Sequence, residues 1–210
     1  MTGKQKQRTI LFKIIQAAQE YKLYLLGHTF MFVFDDNRYV EISFRKVDFA
    51  HLTGVGRSIS ALDFYRNAVR KILKNEQFYF SERFPYHLSE RKLNILLNLS
   101  EIFTNDGFIL EDVVTNTFIY KIGFTDLKLT MCFGEDSDSQ DNKKSDYLII
   151  RSLRANDCFD KAQQVHEIDY ILKKKNTDKL YNEILLNNKS GHFADNIKLK
   201  IVEPLRKINA

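Results

Sequence analysis

The spacing of apolar residues changes from a helical to a strand-like period within the first quarter of the chain, and this change most constrains the fold. Residues 10–26 carry apolar side chains at steps of three and four, which predicts a helix with one buried face. Two strand-like runs follow at 29–34 and 39–44, and the residues 35–38 between them are typical of a hairpin turn. A helix that leads directly into a hairpin needs a core built from both element types.

Helical and strand-like segments continue to alternate along the chain, without a linker or an internal repeat. Ser60 followed three positions later by Asp63 predicts a helix start, because the serine hydroxyl can accept from a free backbone N–H. The buried face predicted for this helix consists of Leu62, Tyr65, Val69 and Leu73. The other predicted elements are helices at 89–103 and from Thr177 through Leu185, and strands at 117–124, 127–133, 147–153 and 165–173.

These elements predict the fold class and the domain organisation. We expect a single α+β domain in which helices flank a largely antiparallel β-sheet of about four to six strands. The domain is predicted to span residues 1–190. Residues 191–210 show weak periodicity, so we expect them to form a tail that packs on the outside or frays.

Composition narrows the class of protein. The chain of 210 residues holds 17 Phe and 10 Tyr but only 8 Gly and 2 Pro, which excludes a disordered or collagen-like chain. Cys132 and Cys158 form no Cys-x-x-Cys pair, which argues against a structural zinc site and a disulfide scaffold and indicates a reducing cytoplasm. No run approaches the roughly 18 to 20 apolar residues that cross a bilayer, and the polar start lacks a signal-peptide core, so we expect no membrane partner.

The net charge of +5 is unevenly distributed along the chain. Residues 101–150 hold 4 Lys or Arg against 10 Asp or Glu, and half of these carboxylates lie in the acidic segment, residues 134–146. A calcium loop starting at Asp136 would need Gly at its sixth and Glu at its twelfth position, where this chain has Asp141 and Tyr147. We interpret the segment as a solvated connection between strands, which a polyanion such as nucleic acid would avoid.

A run of three lysines, Lys173, Lys174 and Lys175, separates the last predicted strand from the last predicted helix. Such a run at a sheet edge could contact phosphates, and the alternative is an ordinary solvated surface. Other cations near the ends of neighbouring predicted elements are Arg151, Arg154 and Lys179. We therefore retain Lys173 and Lys175 as candidate phosphate-binding residues.

One of the five histidines has a distinctive sequence context. His51 lies in VDFAHLTGVGRS, between a predicted strand and a predicted helix, two residues before Thr53 and followed by Gly54 and Gly56. No metal-ligand spacing such as HExxH or HxH accompanies it, so we expect no metal site. On spacing alone, a structural or capping role for His51 is favoured. GxSxG, P-loop and GxGxxG motifs are absent, which leaves hydrolase-elbow, NTPase and dinucleotide-binding functions without support.

The run ISFRKVDFAHLTGVGRSISALDFY at 42–65 resembles the signature of a phage-associated subgroup of the BECR superfamily, the nucleases grouped with barnase, EndoU, certain tRNA-cutting colicins and RelE. In that subgroup an extended segment ending in Phe leads into HLTG and then into a helix that carries a Phe-Tyr pair; here these are Phe49, residues 51–54, and Phe64 with Tyr65. Looser similarity continues through 92–103, 121–124 and 168–185. Where the family has a strand running into a proline turn, this chain has YLIIRSL at 147–153, without proline.

The resemblance implies a metal-independent endoribonuclease that needs no cofactor and acts as a toxin or defence effector of a phage or mobile element. It implies RNA as the substrate and an antitoxin or immunity protein as a partner. Residues 1–190 would then be the nuclease domain. In such an enzyme a base deprotonates a ribose 2′-hydroxyl, the oxygen attacks the adjacent phosphorus, and an acid protonates the departing 5′-oxygen.

The resemblance also assigns candidate roles to residues of the motif. His51 is the candidate acid or base, and Thr53 would donate to phosphate or orient His51. Tyr65 would share proton transfer or stack on a base, although its position on the apolar helix face also fits the core. Arg57 and Lys175 are candidate cations for the charged transition state.

Two other functions remain open at this point. The first is a catalytically silent RNA- or protein-binding module on the same scaffold, because one histidine and scattered cations form a small catalytic set. The second is a zinc or calcium enzyme, which the failed ligand spacings disfavour.

Overall fold

The computed structural model describes residues 2–115, 118–137, 140, 142–190 and 192–207. Within these residues the helices are α1 (Gly3–Glu20), α2 (Phe49–Thr53), α3 (Ala61–Val69), α4 (Tyr86–Leu96), α5 (Asp195–Lys198) and α6 (Glu203–Arg206). The strands are β1 (His28–Phe34), β2 (Arg38–Ser43), β3 (Gly56–Arg57), β4 (Phe78–Tyr79), β5 (Phe108–Val114), β6 (Ile119–Thr125), β7 (Thr130–Ser137), β8 (Lys143–Arg154), β9 (Gln164–Lys175) and β10 (Glu183–Asn187).

Seven of the strands close into a mixed β-barrel. Their order is β1, β2, β8, β7, β6, β5 and β9, and the ring closes because β9 pairs with β1 as well as with β5. The β2–β8 pair is parallel, whereas β10 adds to β9 as an eighth strand and β3 pairs with β4 in a separate ribbon. The predicted fold, with helices flanking a largely antiparallel sheet of about four to six strands, is therefore wrong. Closure joins strands that are far apart in sequence, and local periodicity carries no signal for such pairing.

The N-terminal helix α1 forms where apolar periodicity predicts a helix, but it begins earlier. Thr2 caps it in a reciprocal pair with Gln5, in which each side chain accepts from the backbone N–H of the other residue. Its buried face includes Ile10 and Ile14, and the chain continues as a π-helical turn through Tyr21–Leu25. This face packs against α3 and α4, so α1 anchors the helical layer of the main core.

The predicted hairpin at 29–44 and the predicted helix start at Ser60 are confirmed. β1 pairs antiparallel with β2, and the turn between them places Asp35 and Asp36 at φ 49° and 67°. Ser60 Oγ accepts from the backbone N–H of Asp63 at 3.1 Å. The buried face of α3 nevertheless includes Phe64, because α1 and α2 both pack against this short helix.

Two predicted helices differ from the structure. The helix expected from Thr177 through Leu185 is wrong: residues 183–187 form β10 instead, and Ile184 lies opposite Leu172 of β9. Strand pairing along β9 therefore overrides the local helical spacing. The helix expected at 89–103 begins earlier as α4 and ends at Leu96, before a 3₁₀ turn.

The predicted strands after α4 form with shifted ends, and the pattern missed β5 entirely. β6, β7, β8 and β9 correspond to the four predicted strands. The first residue of the strand predicted at 117–124 lies outside the described residues. β7 begins three residues later than predicted, whereas β8 and β9 extend beyond both predicted ends, where they pair with barrel neighbours.

The C-terminal segment, residues 192–207, packs on the outer face of β1 and β9 rather than fraying. Phe193 and Ile197 are buried in a second apolar cluster together with Met31 and Tyr170. The domain boundary at residue 190 stays a prediction. In the described part of the chain, no helix combines the length and apolarity that a membrane crossing requires.

Candidate functional site

His51 is presented to solvent by a five-residue helix whose other residues are buried. In α2, Phe49, Ala50, Leu52 and Thr53 point into the core, and His51 is exposed. The helix packs against α3, α4 and β8. Because four neighbours are fixed by packing, the histidine has a defined position on the surface.

Two glycines after α2 let other elements approach His51 closely. Gly54 ends the helix at φ 73°, and a Cβ there would lie 2.9 Å from Cδ of Lys92 in α4. A Cβ on Gly56 would lie 2.4 Å from the ring of Tyr79, its partner across the β3–β4 ribbon. The HLTGVG motif therefore brings α4 and β4 against the turn that follows His51.

We use the name catalytic cavity for the candidate site in front of His51, a space with a volume of about 430 Å³. It lies between α2, the β3–β4 ribbon and α4. Arg57, Tyr79, Arg83 and Lys92 line it together with His51. A histidine, a phenol and three cations from separate parts of the sequence thus meet in one site.

The three cations of the catalytic cavity are not neutralised by the protein. Within the described residues, Arg57, Arg83 and Lys92 form no ion pair, and no carboxylate is among the residues that line the cavity. Arg57 Nη1 donates to the carbonyl oxygen of Ile59 at 2.6 Å, which holds its guanidinium in place. The cavity is therefore a positively charged site that suits an anion.

The surroundings of His51 favour its neutral form. Although the residue is exposed, nearby protein displaces water from the ring, and this desolvation is the largest cause that lowers its pKa. Arg57 is the next cause, because its charge repels the protonated ring. Asp48 acts in the opposite direction, and Lys92 lowers the pKa further. In the described part of the chain neither ring nitrogen has a hydrogen-bond partner, so both remain available to a substrate.

Lys92 differs from an ordinary surface lysine. It is half-buried, and loss of water around its ammonium group is the main reason that its pKa is lowered. The charge of Arg154 is the second cause. A bound anion would relieve this repulsion, so Lys92 is suited to contact a phosphate group.

Comparison with known protein families gives one result that covers most of the chain. Residues 13–190 match the family described as phage-Barnase-EndoU-ColicinE5/D-RelE like nuclease 4. The chain belongs to this nuclease family. The membership predicted from the resemblance at 42–65 is therefore confirmed. No curated protein and no solved structure gave a significant match.

Two of the candidate residues of this nuclease lie beneath the surface of the site. Thr53 is buried, and its hydroxyl donates to the carbonyl oxygen of Ala50 at 2.7 Å. Tyr65 is also buried, its ring contacts those of Tyr21 and Phe49, and burial raises the pKa of its hydroxyl. Neither residue lines the catalytic cavity of the nuclease.

The candidate lysines of β9 lie apart from the catalytic cavity. Lys173 Nζ pairs with Glu183 of β10 at 2.8 Å, and Lys175 is exposed opposite His28 of β1. Neither lysine lines the cavity or is among the charged groups that shift the pKa of His51. Of the cations considered from sequence, Arg57 lines the cavity with His51, and Arg151 lies close enough for its charge to lower the pKa of His51.

The acidic segment, residues 134–146, belongs in part to β7 and β8. Asp136 is 8% exposed and pairs with Arg45, so this carboxylate is buried rather than solvated. Asp141, the sixth position of the calcium pattern, lies outside the described residues. Among those that are described, no group of three or more His, Cys, Asp or Glu side chains could hold a metal ion.

Sequence reasoning missed Arg83, Lys92 and Tyr79 as residues of the site. Lys92 begins the run at 92–103 that resembles the family, which was the one signal available for it. Arg83 and Tyr79 carried no signal, because only the packing of β4 and α4 against Gly54 and Gly56 brings them to His51.

Proposed function

We propose that this nuclease is a metal-independent endoribonuclease that cleaves RNA by attack of the ribose 2′-hydroxyl, with His51 as the general base. The observation that carries the proposal is a histidine with free ring nitrogens that faces a cavity lined by three unpaired cations, as far as the chain is described. No organic cofactor is required for this reaction.

The kind of side chains in the cavity supports RNA over DNA as the substrate. Cleavage of RNA has an internal nucleophile, the 2′-hydroxyl, and needs a base, an acid and stabilisation of negative charge. Divalent metals that activate water for hydrolysis prefer carboxylate and carbonyl oxygens. A histidine surrounded by arginine and lysine fits the first chemistry better than the second.

The cavity residues can be placed in the steps of the reaction. Neutral His51 accepts the proton of the 2′-hydroxyl, and its lowered pKa keeps this form populated near neutral pH. The oxygen then attacks the phosphorus, and Arg57 and Arg83 stabilise the extra charge on the phosphorane. Lys92, whose pKa is lowered by burial so that its ammonium group gives up a proton more readily than an ordinary lysine, donates to the departing 5′-oxygen. The products are a 2′,3′-cyclic phosphate and a free 5′-hydroxyl.

Aromatic residues at the cavity rim support binding of a base. Tyr79 is 44% exposed, and its ring lies 6.1 Å from that of Phe84 between centroids. Both line the catalytic cavity. Stacking on such rings is worth about 1–3 kcal/mol per base and tolerates any sequence.

We further infer that the enzyme acts in the cytoplasm as a toxin or defence effector of a phage or mobile element. Family membership and the proposed cleavage of RNA support this role. An antitoxin or immunity protein would then control it by covering the catalytic cavity.

Replacement of His51 by alanine tests the catalytic proposal. We expect wild-type protein to cleave RNA in EDTA and to leave 2′,3′-cyclic phosphate ends, and His51→Ala to lose about 10²- to 10⁴-fold in rate. The matched control is His192→Ala, since His192 is exposed and does not line the cavity. A requirement for magnesium, or an unchanged rate in His51→Ala, would contradict the mechanism.

The second candidate function is an RNA-binding module without turnover. The burial of Thr53 and Tyr65 favours it, because these are two of the three candidate catalytic residues and neither can reach a substrate. Induced expression of wild type and His51→Ala, with sequencing of RNA 5′-hydroxyl ends, separates the two. New ends and growth arrest that depend on His51 support the nuclease and identify its RNA. Binding without new ends supports the module.

A further inference from the structure

A second cavity lies beside the catalytic cavity along α4. It has a volume of about 310 Å³ and is lined by Arg91, Arg154 and other residues of the segment 152–156. Leu88 and Lys92 line both cavities. The two spaces therefore lie side by side with Lys92 at the junction, and we call them together the groove beside α4.

The cations of the second cavity are held in place without being neutralised. Arg91 Nη2 donates to the carbonyl oxygen of Ala155 at 2.8 Å, which fixes its guanidinium against the end of β8. Arg154 is half-buried, and its guanidinium lies 5.7 Å from the centroid of the Tyr120 ring. Its buried Nε has no hydrogen-bond partner, and neither arginine has a carboxylate partner, in the part of the chain that is described.

Another cavity on the barrel is lined by carboxylates, unlike the two cavities beside α4. A cavity of about 570 Å³ is lined by Glu41, Glu111, Asp112 and Asp146 as well as by two cations. The carboxylates of that cavity would repel a nucleic acid, whereas the groove beside α4 has none among its described lining residues. A polyanion that enters the catalytic cavity therefore has a favourable path towards Arg91.

The size of the groove indicates the form of its ligand. Both cavities are near the lower end of the range of about 300–1,000 Å³ that is usual for sites of single small molecules. Volumes of this size suit about one nucleotide unit of an unpaired strand in each cavity.

We propose that the second cavity binds the backbone phosphate next to the one that is cleaved, so that the substrate is single-stranded RNA held over at least two successive phosphates. Arg91 and Arg154 contact the neighbouring phosphate, and Lys92 at the junction contacts the scissile one. This assignment rests on the proposed function of the catalytic cavity and adds the substrate class to it.

Binding of a non-cleavable RNA tests the assignment separately from catalysis. The probe is an octanucleotide with 2′-O-methyl sugars, which has no free 2′-hydroxyl, and affinity is measured by fluorescence anisotropy at several salt concentrations. We expect Arg91→Ala to weaken binding about tenfold and to reduce the slope of log affinity against log salt by about 0.7, the value for one lost contact to a single strand. The loss should be smaller for a 2′-O-methyl dinucleotide, because it has a single phosphate.

Two further variants accompany Arg91→Ala. Arg70→Ala is the matched control, since Arg70 is an exposed helix-end arginine that lines neither cavity and should bind like wild type. Arg154→Gln should weaken binding in the same direction as Arg91→Ala, and its thermal unfolding midpoint shows whether the fold is retained.

These measurements test the second phosphate site and the nuclease activity separately. Equal affinity of Arg91→Ala and wild type, an equal loss in Arg70→Ala, or no binding by wild type overturns the second phosphate site. Cleavage of the unmodified octanucleotide is measured in parallel. If wild type cuts the unmodified octanucleotide and Arg91→Ala binds the 2′-O-methyl RNA normally, the nuclease proposal stands and the second phosphate site fails. If Arg91→Ala binds more weakly and no RNA is cut, the second phosphate site stands and the proposed catalysis fails.

Discussion

At the scale of single residues, the motif around His51 identified some of the residues that line the catalytic cavity but not all of them. His51 and Arg57 were found from HLTGVGRS, and both line the catalytic cavity. Thr53 belongs to the same motif and is buried, because a helix turns one residue outward while its neighbours pack inward. Residue type and local spacing indicate which groups could act, and only exposure shows which of them can meet a substrate.

The first prediction concerns the pKa of His51. Arg57 is the largest charge that lowers this pKa, so Arg57→Gln should raise it towards 6.5. The pKa is measured from the imidazole NMR signals during a pH titration, which does not depend on activity. In kcat/KM, the low-pH limb should have its midpoint below 6.5 in wild type and move to higher pH in the variant, because the base must lose its proton to act.

Arg70→Gln is the control for this titration, since it removes an exposed arginine that is not among the causes of the shift. A pKa of His51 that stays unchanged in Arg57→Gln would show that Arg57 does not act on the ring electrostatically.

At the scale of elements, the glycines of the motif determine how the site is assembled. Gly56 faces Tyr79 across the β3–β4 ribbon, and Gly54 faces Lys92 and the α4 backbone. Ser89 Oγ of α4 donates to the carbonyl oxygen of Gly54 at 2.9 Å, which joins the two elements. Because Gly54 and Gly56 have no side chains, β4 and α4 can pack directly against the turn after His51.

The second prediction tests this close approach with a double-mutant cycle. Gly56→Ala places a Cβ 2.4 Å from a ring carbon of Tyr79, so the ring must move, and we expect lower stability and reduced cleavage. In a Tyr79→Ala background the clash is removed, and Gly56→Ala should cost much less stability. Urea unfolding of the four proteins measures the coupling.

Gly3→Ala serves as the control for this cycle, because an added Cβ meets nothing within 4 Å in α1. Additive effects of Gly56→Ala and Tyr79→Ala would contradict the proposed contact.

At the scale of the whole molecule, strand β1 of the barrel is buried on both of its faces. Phe30, Phe32 and Phe34 of β1 join the main core, while Met31 and Val33 point to the opposite face. That opposite face is covered by the C-terminal segment, which begins beyond the residues matched by the family model. The residues matched by the family model therefore include the barrel and the candidate site, and the C-terminal segment is a layer that lies outside this match.

The third prediction is that this layer contributes substantially to stability. Phe193 is 2% exposed and lies 4.5 Å from the Tyr170 ring between centroids, so Phe193→Ala should lower the free energy of unfolding by about 3–5 kcal/mol. Its neighbour His192 is exposed, and His192→Ala should change stability by less than about 0.5 kcal/mol. Equal values for the two variants in chemical denaturation would show that the segment does not pack as described.

The elements that could be predicted from sequence are those that short-range interactions specify. The hairpin at 29–44, the cap at Ser60 and the family motif around His51 could be identified because each depends on residues a few positions apart. Tertiary structure alone decided the closure of β9 on β1, the parallel β2–β8 pair and the strand at 183–187. It also decided which cations meet His51. These features depend on contacts between distant segments, whose energy comes from burial and pairing that no local pattern contains.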